Sequence, residues 1–135
     1  MGGWILPTLG YIVLVGAAGV TTKLALRTIS WQQLVLWVPF VYAVFAVALV
    51  AFGKARLPFG AGGGWAAATA VFAASGLVLF FVALARGDAS QVVPATSAYP
   101  VVTLVAAAVI LSESITVTRI LGTVLVIAGL VLISR

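Results

Sequence analysis

Cysteine and histidine are both missing from these 135 residues. Without cysteine there is no disulfide and no thiolate chemistry. Without histidine, imidazole proton relays, histidine-based catalytic triads and histidine-ligated zinc are excluded within the chain. Charge is almost as scarce. Asp88 and Glu113 are the two acids, set against Lys23, Arg27, Lys54, Arg56, Arg86, Arg119 and Arg135. Charged residues make up 7% of the chain, whereas a soluble domain uses roughly 25% to cover its surface. No nucleophile–base pair and no metal-ligating cluster can be assembled, so an enzyme is not expected, and neither is a metal or other cofactor.

What is present is apolar. Hydrophobic residues reach 64%, and the mean hydropathy is +1.33. Five apolar segments stand out: about Trp4 to Thr22 (with a possible continuation to Arg27), Trp31 to Phe52, Trp65 to Ala85, Val92 to Leu111, and Val117 to Ile133. Segments of roughly 17–22 residues at 1.5 Å per residue match a hydrocarbon core about 30 Å thick. Helices satisfy their own backbone there, and the runs do not alternate as barrel strands would. The expected fold is therefore all-α, a polytopic membrane bundle of five transmembrane helices forming a single domain over residues 1–135. The first segment lacks the positive start and small-residue cleavage site of a signal peptide, and reads as a membrane helix.

Every cation lies at or near the end of an apolar segment. The net charge of +5 thus reads as headgroup anchoring and orientation, not as nucleic-acid binding. Trp4, Trp31 and Trp65 fall near helix starts, where amphipathic rings favour the interface. Gly60-Ala61-Gly62-Gly63-Gly64, following Pro58, reads as the one flexible loop. The other connections are short, which makes neighbouring helices antiparallel. Gly16 and Gly19 share a side of the first helix with Lys23. Gly76 lies in the third, and Gly122 and Gly129 form one stripe of the fifth. Small residues let backbones approach closely in lipid. Packing within the bundle and a seam with a second chain both fit them.

The fourth segment carries the densest polar signal. On a continuous helix Thr96, Tyr99 and Thr103 lie within about 60° of one another. Pro94 and Pro100 each remove a backbone donor, freeing carbonyls at about Ser90 and Thr96. Open backbone at membrane depth is tolerated only against protein or a water-filled cavity. A polar path through the bundle fits this face, and so does hydrogen bonding between helices. Lys23 is intramembrane if the first helix continues to Arg27, and a functional candidate on that ground. So near a helix end it also has the length to snorkel to the interface. Glu113, between Ser112 and Ser114, precedes the fifth helix. There an acid meets the positive end of the dipole and serine caps free amides, so a structural cap is favoured over proton coupling. Arg119 is within reach of it, and Asp88 holds the corresponding place before the fourth helix.

Several residues in order give the chain a family likeness: the small-rich end of the first helix with Lys23; Gly76, Phe80-Phe81 and Ala83-Leu84; Ala89-Ser90 and Val93-Pro94; Tyr99-Pro100-Val101; Glu113; Gly122; and Ile127-Ala128-Gly129. This series resembles the EamA-type unit of the drug/metabolite transporter superfamily. The resemblance implies a multi-pass transporter of small metabolites or drugs in the inner or plasma membrane. It adds Trp37 to Lys23, Thr96, Tyr99, Pro100 and Thr103 as a pathway position, because relatives often carry an arginine at about that place. They also often have Trp-Gly where this chain has Val15-Gly16. Both departures bear on the central cavity, so the resemblance carries no substrate class.

Relatives usually hold two such units, and this sequence holds one. Five is odd, so a second unit joined directly would be inverted, the repeat symmetry common in secondary transporters. A single unit needs a partner in the bilayer: an inverted, antiparallel second copy or a related short subunit. Counting loop charge places Lys23, Arg27, Arg86 and Arg135 on one side and Lys54, Arg56 and Arg119 on the other. That bias is close to nil, which fits insertion both ways and a dual-topology homodimer. The competing reading is a non-transporting accessory subunit, for instance of a lipid-carrier flippase.

Overall fold

The computed structural model describes residues 3–53, 55–56 and 60–133. Lys54, Pro58 and Arg135 lie outside them. The described residues hold six helices and no strand: α1 (Ile5–Ala25), α2 (Trp31–Ala51), α3 (Ala61–Arg86), α4 (Ala89–Thr96), α5 (Tyr99–Ile110) and α6 (Val117–Ile133). Four stretches are long and apolar enough to cross a membrane: Ile5–Ala25, Trp31–Ala51, Gly62–Arg86 and Ala89–Ile110. Val117–Ile133 is a shorter apolar helix. The fold is the expected polytopic helical bundle.

Local chemistry sets the helix ends. Ser30 starts α2 with a capping box: its Oγ accepts from the Gln33 amide at 3.3 Å, and Gln33 Oε1 accepts from the Ser30 amide at 2.9 Å. Two amides that the helix leaves without partners are satisfied in this way. Gly53, at φ +65°, follows α2 in the left-handed conformation that a side chain disfavours.

Two elements differ from the sequence reading. The glycine-rich stretch is not a loop beyond Gly60. Gly60 turns at φ +101°, α3 starts at Ala61, and the Gly64 amide already donates to the Gly60 carbonyl at 3.1 Å. Each glycine disfavours helix by about 1 kcal/mol, but a segment entering hydrocarbon must satisfy its backbone internally. The fourth helix is also not continuous. Pro100 has no N–H, so the Thr96 carbonyl loses its i+4 donor. The Ser97 and Ala98 amides fall back on the Pro94 and Ala95 carbonyls at 2.9 and 3.2 Å, and the chain restarts with Val101 on Ala98 at 3.0 Å. One membrane-length stretch thereby becomes α4 and α5.

The chain divides into two compact units, residues 1–19 with 87–135, and residues 20–86. In the first, α4 packs on α6. Gly19 of α1 meets α4 so closely that a methyl group there would stand 2.8 Å from Val93 Cγ2. In the second, α2 packs on α3. Thr22 is buried there, together with Phe81 and Leu84, the latter fully. Elsewhere large apolar side chains face outward, Leu6 at 80% and Phe72 at 77% exposure. Hydrocarbon tails are as apolar as leucine, so membrane helices gain little by hiding such residues from them.

Candidate functional site

In the first unit α5 and α6 flank an open cleft of about 520 Å³. From α5 it is lined by Tyr99, Pro100, Thr103, Leu104 and Ala107, and from α6 by Arg119, Gly122, Thr123 and Val126, with Glu113 from the connection. The α6 set follows the i, i+3, i+4, i+7 spacing of one helix face. The cleft therefore combines a carboxylate, a guanidinium and three hydroxyls with aliphatic walls. The wall is open at Gly122, where a methyl group would meet no atom within 4 Å.

Three of the sequence-predicted pathway residues, Tyr99, Pro100 and Thr103, share this cleft. The helix break just before Tyr99 places the phenol at the start of α5, where it is 60% exposed. Thr103 Oγ1 donates to the Tyr99 carbonyl at 3.3 Å, and Thr123 Oγ1 to the Arg119 carbonyl at 2.9 Å. Both hydroxyls spend their proton on their own helix, which leaves them as acceptors toward the cleft. Thr96 ends α4 and bonds locally, Oγ1 to the Val93 carbonyl at 2.7 Å.

Lys23 and Trp37 belong to the second unit. Lys23 is in the last turn of α1, part-buried, and its Nζ donates to the Leu84 carbonyl at 2.9 Å. That carbonyl lies in the last turn of α3, where intrahelical donors run out and the dipole is negative. Trp37 is 67% exposed on α2, with its ring 6.3 Å from that of Phe40. Of the glycines singled out for packing, Gly19 makes the close contact with Val93, while a methyl at Gly16, Gly76, Gly122 or Gly129 would meet nothing within 4 Å.

Glu113 sits in the turn between α5 and α6. Ser112 takes φ +53° there, and the Glu113 amide donates back to the Ala107 carbonyl at 3.2 Å. The first turn of α6 is capped by Thr116, whose Oγ1 accepts from the Arg119 amide at 3.4 Å. Arg119 Nη1 donates to the Ser114 carbonyl at 3.2 Å. Asp88 occupies the N-cap position of α4 without a side-chain cap bond. Sequence reasoning missed Thr116 and Thr123. The signals were a Thr-x-x-Arg start and a threonine four residues beyond Arg119.

An uncharacterized protein of Methanocaldococcus jannaschii is 37% identical to this chain over 70 residues, which cover 52% of this chain and 51% of that protein. The chain thus spans about half the length of that curated relative in the match. No solved structure matches the chain. The EamA-like transporter family matches residues 2–135. Taken with the membrane-length helices, this establishes that the chain is a membrane protein belonging to the EamA-like transporter family.

Proposed function

We propose that the chain carries small metabolites or drugs across the cell membrane as a dimer of five-span units, with the α5–α6 cleft as its half of the substrate pathway. The observation that carries this reading is the cleft itself. It gathers Tyr99, Thr103, Thr123, Glu113 and Arg119 beside a broken membrane helix. Polar side chains and interrupted backbone at membrane depth are favourable only against protein or water. Glu113 acts there chiefly on structure, its charge near the positive end of the α6 dipole.

An odd number of spans and a near-zero loop charge bias support an antiparallel pair of identical chains. One orientation then supplies each half of the cavity. The alternative partner is a related short subunit.

The chain has no native cysteine, so single-cysteine variants give clean labelling. Tyr99→Cys, Thr103→Cys and Thr123→Cys in liposomes should react with a membrane-impermeant thiol reagent, and Val105→Cys and Leu125→Cys should not. Equal protection at all five positions would overturn the pathway. Reporter fusions at the C-terminus should appear on both sides of the membrane, and adding two lysines to one loop should shift the ratio. A single orientation in the unmodified chain removes the dual-topology dimer.

A further inference from the structure

The second unit holds a different kind of cleft. Between α2 and α3 lies a space of about 370 Å³ whose walls include Val35, Pro39, Tyr42, Ala70, Ala74 and Phe81. Small alanines on α3 face the proline segment of α2, and the walls are almost wholly apolar. Two polar features interrupt them. Pro39 lies inside α2 and has no N–H, so the Val35 carbonyl has no i+4 donor. Residues i and i+4 share a helix face, and both Val35 and Pro39 line the cleft. The second feature is the phenol of Tyr42, one turn further on.

We infer that this cleft binds a compact lipophilic molecule carrying one hydroxyl or N–H donor. A lipid acyl chain fills the volume but offers no donor to replace the one that Pro39 takes from the Val35 carbonyl. Leaving a polar group unpaired in such a place is costly, and a ligand donor removes that cost. The phenol of Tyr42 gives a second anchor to the ligand's oxygen or nitrogen. The volume lies within the range of small-molecule sites, which combine apolar walls with a few placed polar groups. Its test reads binding alone and does not depend on transport.

The test uses the full chain in phosphatidylcholine nanodiscs, with empty nanodiscs as the partition control. The probes are 2-naphthol, which has one donor, and 2-methoxynaphthalene, which has none. Equilibrium dialysis should show saturable binding of 2-naphthol about tenfold tighter than its methyl ether, the worth of one hydrogen bond to a desolvated carbonyl. Pro39→Ala should erase that preference. The substitution restores a backbone donor to Val35 and favours helix, so lost binding cannot be blamed on lost folding. Tyr42→Phe should weaken both probes alike, and Ala74→Phe should abolish saturable binding of both. Binding no greater than to empty nanodiscs, or a donor preference that survives Pro39→Ala, would overturn the inference and leave the cleft as a seat for acyl chains.

Discussion

Replacing Lys23 by methionine probes the contact between the ends of α1 and α3. Methionine keeps an unbranched apolar stem and removes the ammonium. What is lost is a charge-assisted bond of 2.9 Å to the Leu84 carbonyl, on a residue with no exposed surface. Hydrogen bonds to charged groups contribute about 1.5–3 kcal/mol. The cation's interaction with the C-terminal dipole of α3 adds about 0.3–1 kcal/mol. Against this, methionine relieves the desolvation of a part-buried ammonium. The net expectation is a loss of about 2 kcal/mol, close to thirtyfold in the folding equilibrium. Lys23→Arg, which keeps the charge and a donor, should lose less than half as much. Four tryptophans provide the signal for unfolding by dodecyl sulfate in mixed micelles. The midpoint for Lys23→Met should fall clearly, while the transport KM of the folded fraction stays within about twofold of the parent. An unchanged midpoint with a KM raised tenfold would refute the reasoning, because the ammonium would then act on substrate and not on α3.

Other substitutions read the remaining contacts. Gly19→Val should destabilise by about 1–3 kcal/mol through overpacking against Val93, whereas Gly129→Ala, at an open position, should be neutral or stabilising by up to about 1 kcal/mol; the same dodecyl sulfate titration compares them. Ser112→Gly relieves a left-handed residue and should raise the unfolding midpoint, while Ser112→Val should lower it. Thr116→Ala should cost about 1 kcal/mol as a lost N-cap, and Glu113→Gln about 0.3–1 kcal/mol as a lost dipole partner. For Glu113→Gln, flux per folded molecule should stay unchanged in liposomes; disappearance of a proton dependence with folding intact would instead assign Glu113 to coupling.

Much of the site was legible in sequence because its signals are local. Tyr99 and Thr103 stood out as polar residues beside Pro100 inside an apolar run, and the cleft contains all three. The same prolines marked an interruption, but only the structure located the break at Ser97–Ala98 and separated Thr96 from the cleft residues as the end of α4. Angles drawn on an unbroken helix do not carry across a turn whose amides bond at i−3. The α6 wall was harder to read. Gly122 appears as a packing residue and Arg119 as a partner of Glu113, and neither sequence feature says which helix α6 faces.

The chain by itself determined its solvent, its all-helical class and its approximate spans, though not the start of α3 or the break between α4 and α5. In hydrocarbon a backbone has no water to bond, so an apolar run of sufficient length becomes a helix whatever surrounds it. Tertiary structure decided which side chains meet. Lys23 reaches a carbonyl 61 residues away, Gly19 receives Val93, and Glu113 and Arg119 flank a common cleft. These pairings depend on the rotation and depth of each helix. Helices that are apolar around nearly their whole circumference carry no hydrophobic stripe to set either, so the choice rests on close packing and on the few polar groups that must find partners.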